Sequence, residues 1–262
     1  MSRIDKTFAA ALVALAIGTA TGATAAQPRS HQDPCEGLPT HSRLTETLRQ
    51  AVAEETSGLD FGMWATVVNR DGDVCAVAFS GGDRGAQWPG SRVISAQKAN
   101  TANAFGLDGL ALSTANLFSA VQPGGSLYGL QHSNPVDVEV AYRGRAHRYG
   151  TDRDPMVGGR IGGVNVFGGG LGLYDGGRIL GGLGVSGDTS CADHMIGWRV
   201  RHLLGLDGLG STGGVSGDPA RPDNIVYDLE TDPNGGTGAS AGGFGHPECL
   251  NTGDQTQLPA VR

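Results

Sequence analysis

Seven histidines, together with a few tyrosines and arginines and Lys98, supply the side chains of this chain that can ligate a metal or grip an anion. His132 and His147 flank a polar stretch, residues 131–158, that carries Arg143, Arg145 and Arg148, and Tyr128 stands just before it. Neutral imidazole is a good metal ligand, and guanidinium meets a carboxylate at two points in one plane. That cluster can therefore hold an anionic group, the plain alternative being a solvated, salt-bridged loop. His194 opens a helix beside a glycine turn, as a ligand or as an ordinary surface histidine. Lys98, the only lysine beyond residue 26, lies in an alanine-rich helix, where it either snorkels to water or anchors a carboxylate. Tyr128 and Arg160 are polar-tipped residues next to glycine-rich runs, where backbone can come close to a flat ligand. His41 reads as a helix-cap residue, and His31 and His246 fall in segments read as flexible ends.

Several motifs point the wrong way. Gly182-x-Gly184-x-x-Gly187 matches the dinucleotide fingerprint, but that fingerprint needs a second parallel strand after its helix. Here the helix is followed by LGSTGGVSGDPARPD, which is no buried strand. Gly184-Val185-Ser186-Gly187-Asp188 lacks the last glycine of a nucleophile elbow, so Ser186 is not assigned as a nucleophile. HExxH, a Walker A lysine, CxxCH and an EF-hand loop are all missing, and no catalytic residue is assigned.

The elements that must position these side chains are legible. Residues 178–204 spell an apolar strand, a glycine turn, N-cap candidates Asp188, Thr189 and Ser190, and a helix that Gly205 stops. A first helix is expected over about Thr40–Thr56. Met63–Val68 and Val74–Phe79 are strands joined by Asn69-Arg70-Asp71-Gly72-Asp73, a hairpin signal. SRVISAQKANTANAFG is a small-residue helix able to pack tightly on a sheet. A short helical candidate covers Thr114–Ala120, Ser126–Leu130 is a possible strand edge, and one strand fits Val136–Tyr142. Ile161–Phe167 and Leu171–Tyr174 resume sheet character. The order α-β-β-α-α-β-β-α, with hairpins rather than βα alternation, indicates an α+β fold: an antiparallel sheet with helices packed on its faces. Residues 206–262 shift to Gly, Ser, Asp and Pro and read as a long Gly-rich C-terminal tail, extended and held down by Cys249 if at all.

Arg3 and Lys6, then an apolar run thinning into small residues around Ala23-Thr24-Ala25, have the form of a secretory signal peptide over residues 1–26. Residues 27–39 follow as a leader. Export implies a periplasmic or secreted protein, and no later segment is long enough to span a membrane. The net charge of −7 becomes −8 without residues 1–26, which argues against nucleic acid and anionic membranes as partners. Cys35, Cys75, Cys191 and Cys249 are an even set in an exported chain, hence two disulfides, with three pairings open.

The hairpin ATVVNRDGDVCAVAFSG, the helix SAQKANTANAFG, PGGSLYGL and GGRIGGVNVFGGGLGLYDGGRILGGLGVSGDTSCAD together resemble the GlcG/HbpS-type family, described as haem-binding or haem-degrading, over about residues 60–205. The resemblance implies a profilin-like domain, a tendency to form homo-oligomers and, in some members, haem. Where many relatives carry Asp-Glu early in the last helix, this chain has Asp193-His194. The expectation is an exported small-ligand-binding protein whose non-covalent haem is contacted by Lys98, Tyr128, His132, His147, Arg160 and His194. His132, His147 and His194 are the candidates for the iron. The alternatives are a haem-degrading or oxidoreductase-like enzyme in the same pocket, and a non-catalytic sensory or partner-binding module.

Overall fold

Asn69 makes the hairpin. Its side-chain oxygen accepts the N–H groups of Asp71 and Asp73, and Gly72 takes the left-handed conformation (φ 81°) that closes the turn. The turn joins β1 (Trp64–Asn69) to β2 (Val74–Phe79) in a computed structural model that describes residues 33–262 apart from Thr231 and Thr237. The expected signal peptide and residues 27–32 of the leader, His31 among them, lie outside the described residues. β3 (Gly170–Asp175) and β4 (Arg178–Ser186) complete an antiparallel sheet in the order β2-β1-β4-β3. The α+β class expected from the sequence is the one observed.

Alternation along the strands sorts the core into two layers. Ala65 and Val67 of β1 and Leu183 and Val185 of β4 face α1 (His41–Glu54) and α5 (Ser190–Leu204). Trp64 and Val68 face α2 (Ser91–Phe105), and Thr66 hydrogen-bonds Ser95 of that helix at 2.8 Å. Thr40 caps α1 and Thr189 caps α5, which Gly205 ends in the left-handed conformation (φ 74°). The α2 face is paved with glycine. Gly170 pairs with Gly184 across β3 and β4, and Gly172 with Gly182. A methyl added at Gly184 would overlap the Ser95 carbonyl oxygen, and one at Gly182 the Ala99 carbonyl oxygen. Helix backbone thus rests directly on strand backbone.

The region between α2 and β3 departs from the sequence reading. Thr114–Leu117 and Ser119–Val121 are 3-10 turns, and Ser126–Leu130 is turn leading into α3 (Leu130–Ser133), not a strand edge. Val136–Tyr142 is not a strand either. Asp137 accepts the N–H groups of Glu139 and Val140 and starts α4 (Val138–Tyr142), so a cap outweighs the β-branched alternation. Residues 161–166 are mostly buried and Phe167 is exposed, yet the segment forms no ladder, because Gly162 and Gly163 adopt positive φ (62° and 77°) and break the extended run. The polar insert is not loose: Asp154 is buried in a two-point pair with Arg92 of α2, at 2.9 and 2.5 Å.

Residues 206–262 have little regular structure, with β5 (Leu229–Glu230) and β6 (Ala239–Ser240) as a two-residue ladder. They are nevertheless bound to the body. Asp223 takes both terminal nitrogens of Arg201, at 2.6 and 2.9 Å, and Trp198 Nε1 donates to the Pro259 carbonyl at 2.9 Å. Leu209, Ile225 and Leu258 are buried. The expected tail is a wrap, and its apolar residues are simply too sparse to register as elements. The disulfides pair Cys35 with Cys75 and Cys191 with Cys249. Among the described residues no helix is long and apolar enough to cross a membrane.

The glycine contact yields a direct expectation. Gly184→Ala must push α2 off the sheet and should cost about 3 kcal/mol, the upper range for overpacking. Urea unfolding measures it, and a loss under about 1 kcal/mol would show that α2 can lift without penalty.

Candidate functional site

Lys98 is spoken for. Glycines at 168 and 169 open a gap at the end of the sheet, where a side chain at Gly169 would meet Asp193 Cβ at 3.0 Å and Lys98 Nζ at 3.1 Å. Through that gap Lys98 Nζ donates to Asp193 Oδ2 at 2.6 Å and to the Val185 carbonyl at 3.1 Å. Asp193 Oδ1 accepts the Asp188 N–H at 2.9 Å, and Asp188 in turn receives the N–H groups of Leu59 and Phe61. Burial pulls the Lys98 ammonium down and pushes the Asp193 carboxyl up to about 6, while their mutual attraction opposes both shifts. Lys98 neither snorkels nor offers a free cation to a ligand carboxylate. It joins α2 to α5 across the end of the sheet.

His194 is fully buried, so the surface reading is corrected. Its Nε2 lies 3.1 Å from Asn224 Oδ1, which makes Nε2 the protonated nitrogen, and Nδ1 is buried without a partner. Burial first, with Arg201 adding to it, depresses its pKa to about 3 against the pull of Asp223. His246, read as part of a flexible end, is also buried, with Nδ1 donating to the Pro247 carbonyl at 2.7 Å. His41 Nε2 contacts the Gly150 carbonyl at 3.0 Å, and His202 Nδ1 contacts Asp207 at 2.6 Å.

The other expected residues are on the surface. Tyr128 is 63% exposed. Arg160 is exposed and pairs with Asp73 at 2.8 Å, so its charge is partly answered. His132, at the end of α3, and His147, in a 3-10 turn, are exposed, and their rings have no hydrogen-bond partner among the described residues. Arg143 is committed to the carbonyls of Pro155 and Val157. Arg145 and Arg148 are exposed and make no ion pair among the described residues. Tyr142 (60% exposed) and Val138 lie four residues apart on one side of α4.

His132, His147, Arg145, Arg148 and Tyr142 are thus exposed along one stretch of sequence, residue types that a carboxylate-bearing planar metal complex needs, and no contact joins them to one another among the described residues. An enclosed slot is a different matter. Four open grooves of about 230 to 520 Å³ run along residues 210–222, 122–239, 49–81 and 34–180, and none of these four is lined by a histidine. By residue type the insert offers exposed ligating and charge-pairing groups, whereas His194 and His246 are buried.

Sequence reasoning missed four partners that decide these roles: Asp193 for Lys98, Asp154 for Arg92, Asp223 for Arg201 and Asn224 for His194. Each lies at least 22 residues from its partner, and no local spacing signals such a pair.

A single antiparallel sheet with one long helix on one face and two on the other defines the class of domain. The chain belongs to the HbpS-like family: the family model described as haem degrading protein HbpS-like matches residues 40–199. No curated protein matches the chain. Among solved structures it is similar to the Klebsiella pneumoniae protein ORFY at 22% identity, covering 69% of this chain and 97% of that one, with a TM-score of 0.43. It is similar to PduOC in its haem complex at 23% identity, covering 62% and 89%, with a TM-score of 0.42. It is similar to HbpS at 13% identity, covering 71% and 98%, with a TM-score of 0.39.

Two outcomes follow from the buried groups. Lys98→Met leaves Asp193 buried without its cation and should cost about 3–5 kcal/mol in chemical denaturation, with part recovered in Lys98→Met/Asp193→Leu. A single variant as stable as the parent would mean that the pair is open in solution. His194 is neutral when folded but titrates near 6.5 when unfolded. Its contribution to stability is complete above pH 6.5 and is lost as pH falls towards about 3, because the unfolded chain binds the extra proton. His194→Gln should flatten the stability profile across that window.

Proposed function

We propose that the protein is an exported, non-covalent haem binder that holds the porphyrin on its polar insert, with a second copy of the chain closing over the ligand. The observation that carries this reading is the pair of unengaged imidazoles. Among the described residues His132 and His147 are the histidines whose rings make no hydrogen bond, and Arg145 and Arg148, without an ion pair there, flank His147 in the chain. One imidazole would ligate the iron, the guanidinium groups would pair with the propionates, and Tyr128 and Tyr142 would supply flat apolar contact. Family membership supports haem as the ligand, and a relative named PduOC is known in a haem complex. Two disulfides suit an oxidising compartment outside the cytoplasm. Binding is favoured over catalysis, because the bound group would sit on an open face with no buried acid or base directed at it.

Haemin titration of residues 27–262 tests this. A saturable, shifted Soret band is expected, lost or strongly weakened in His132→Ala or His147→Ala and kept in His194→Gln. A featureless, non-saturating response would overturn the haem reading. Loss confined to His194→Gln would overturn the placement on the insert.

A further inference from the structure

At the N-terminus of α5, among residues the haem reading does not use, three metal-binding side chains meet. Cys191 Sγ, Cys249 Sγ and one ring nitrogen of His246 all lie within 4.8 Å of one another, and no other such group of three occurs among the described residues. The sulfurs are joined as a disulfide, and a disulfide sulfur is a poor ligand. The surroundings nevertheless suit thiolate. The Cys191 N–H approaches Cys249 Sγ at 3.2 Å and the Ser190 hydroxyl lies 3.4 Å from it, so a charge released on that sulfur meets donors already in place. Cys191 itself occupies the first turn of α5, where the helix end also favours an anion.

His246 is held by packing. Its ring lies 5.3 Å from that of Phe118 and 6.5 Å from that of Tyr227, and the Gly168 N–H approaches Nε2 only at 3.4 Å. Access is one-sided, because Cys191 and His246 are buried and Cys249 is half-buried. A small thiol therefore reaches Cys249 first.

We propose that this corner is a redox-gated site for a soft cation, Zn(II) or Cu(I), which binds when a dithiol reduces Cys191–Cys249 and is expelled when the disulfide reforms. One thiolate of the dithiol attacks Cys249 Sγ, forming a mixed disulfide and breaking the Cys191–Cys249 bond, and Cys191 leaves as thiolate. The second thiol of the reductant then displaces Cys249, so the dithiol ends as its cyclic disulfide. Its two protons pass to solvent as the metal takes both protein thiolates. Metal–sulfur and metal–nitrogen bonds of about 2.3 and 2.0–2.1 Å set tetrahedral donors about 3.4–3.8 Å apart. Side-chain rotation of the two cysteines reaches that spacing within the present cluster. Two thiolates and one imidazole suit a thiophilic ion, with water in the fourth position for zinc. The site is independent of haem, since neither His132 nor His147 takes part.

Co(II) added to residues 27–262, before and after treatment with excess dithiothreitol and its removal under nitrogen, tests the proposal. We expect no thiolate-to-cobalt charge-transfer band in the oxidised protein and one equivalent bound with that band after reduction, displaced by Zn(II). The band should persist in Cys35→Ser/Cys75→Ser, where the other disulfide is gone, and should be lost in His246→Ala. Circular dichroism of the reduced protein should keep its helical signal. No band after reduction, an unchanged band in His246→Ala, or loss of helix on reduction would each overturn the proposal. Should Cys35→Ser/Cys75→Ser not fold, the His246→Ala comparison in the parent background decides.

Discussion

The body of this protein depends on backbone lying against backbone. Gly170, Gly182 and Gly184 leave two adjacent strands bare, and α2 settles onto them far closer than side chains would allow. That approach determines what can happen at the end of the sheet. Lys98, one turn along α2 from Ser95, comes close enough to pass Gly169 and meet Asp193 on the opposite layer. A bulkier β4 would lift the helix and leave both charges buried without each other. Glycine is costly in a strand because it packs nothing and loses much entropy, and here the cost is offset by a helix contact that binds the two faces together.

The same logic of a buried charge met from far away recurs twice more. Arg92 of α2 grips Asp154 of the polar insert and stacks 3.7 Å over the Tyr149 ring, while Arg201 of α5 grips Asp223 of the C-terminal wrap and lies 4.5 Å from the Trp198 ring. Each irregular segment is thus held to a core helix by one two-point arginine pair. Such pairs owe little to net Coulomb energy once desolvation is counted, and their removal by halves is what hurts. They specify where a chain with few apolar residues must lie.

Local chemistry was readable in the sequence and distant pairing was not. The Asn69–Asp73 turn, the Thr189 cap, the Gly205 stop and the tight α2 helix each follow from residues within a few positions, and they stand where expected. Val136–Tyr142 misled because alternating valines mimic a strand, whereas Asp137 turns the backbone into a helix within one residue. Ile161–Phe167 has the composition of a strand, but positive φ at Gly162 and Gly163 limits it to a single bridge with Val136. The exposed insert residues His132, His147, Arg145 and Arg148 keep the surroundings expected of surface polar groups. The roles of Lys98 and His194 were not legible, because they are set by Asp193 and Asn224 on other elements. His246 stands in a glycine-rich stretch with no local signal, and only folding carries it to the two cysteines.

The C-terminal wrap changes what counts as the minimal unit. The family match ends at residue 199, inside α5, before the arginine that Asp223 neutralises. A fragment cut at that border would lack the last turn of a core helix, and one cut at Gly205 would strand a cation and bare the indole of Trp198. Deleting residues 206–262 therefore tests whether the body can still fold before it can test whether a partner has lost its contact. The end of the family match thus falls inside α5, ahead of the arginine that ties this helix to the C-terminal wrap.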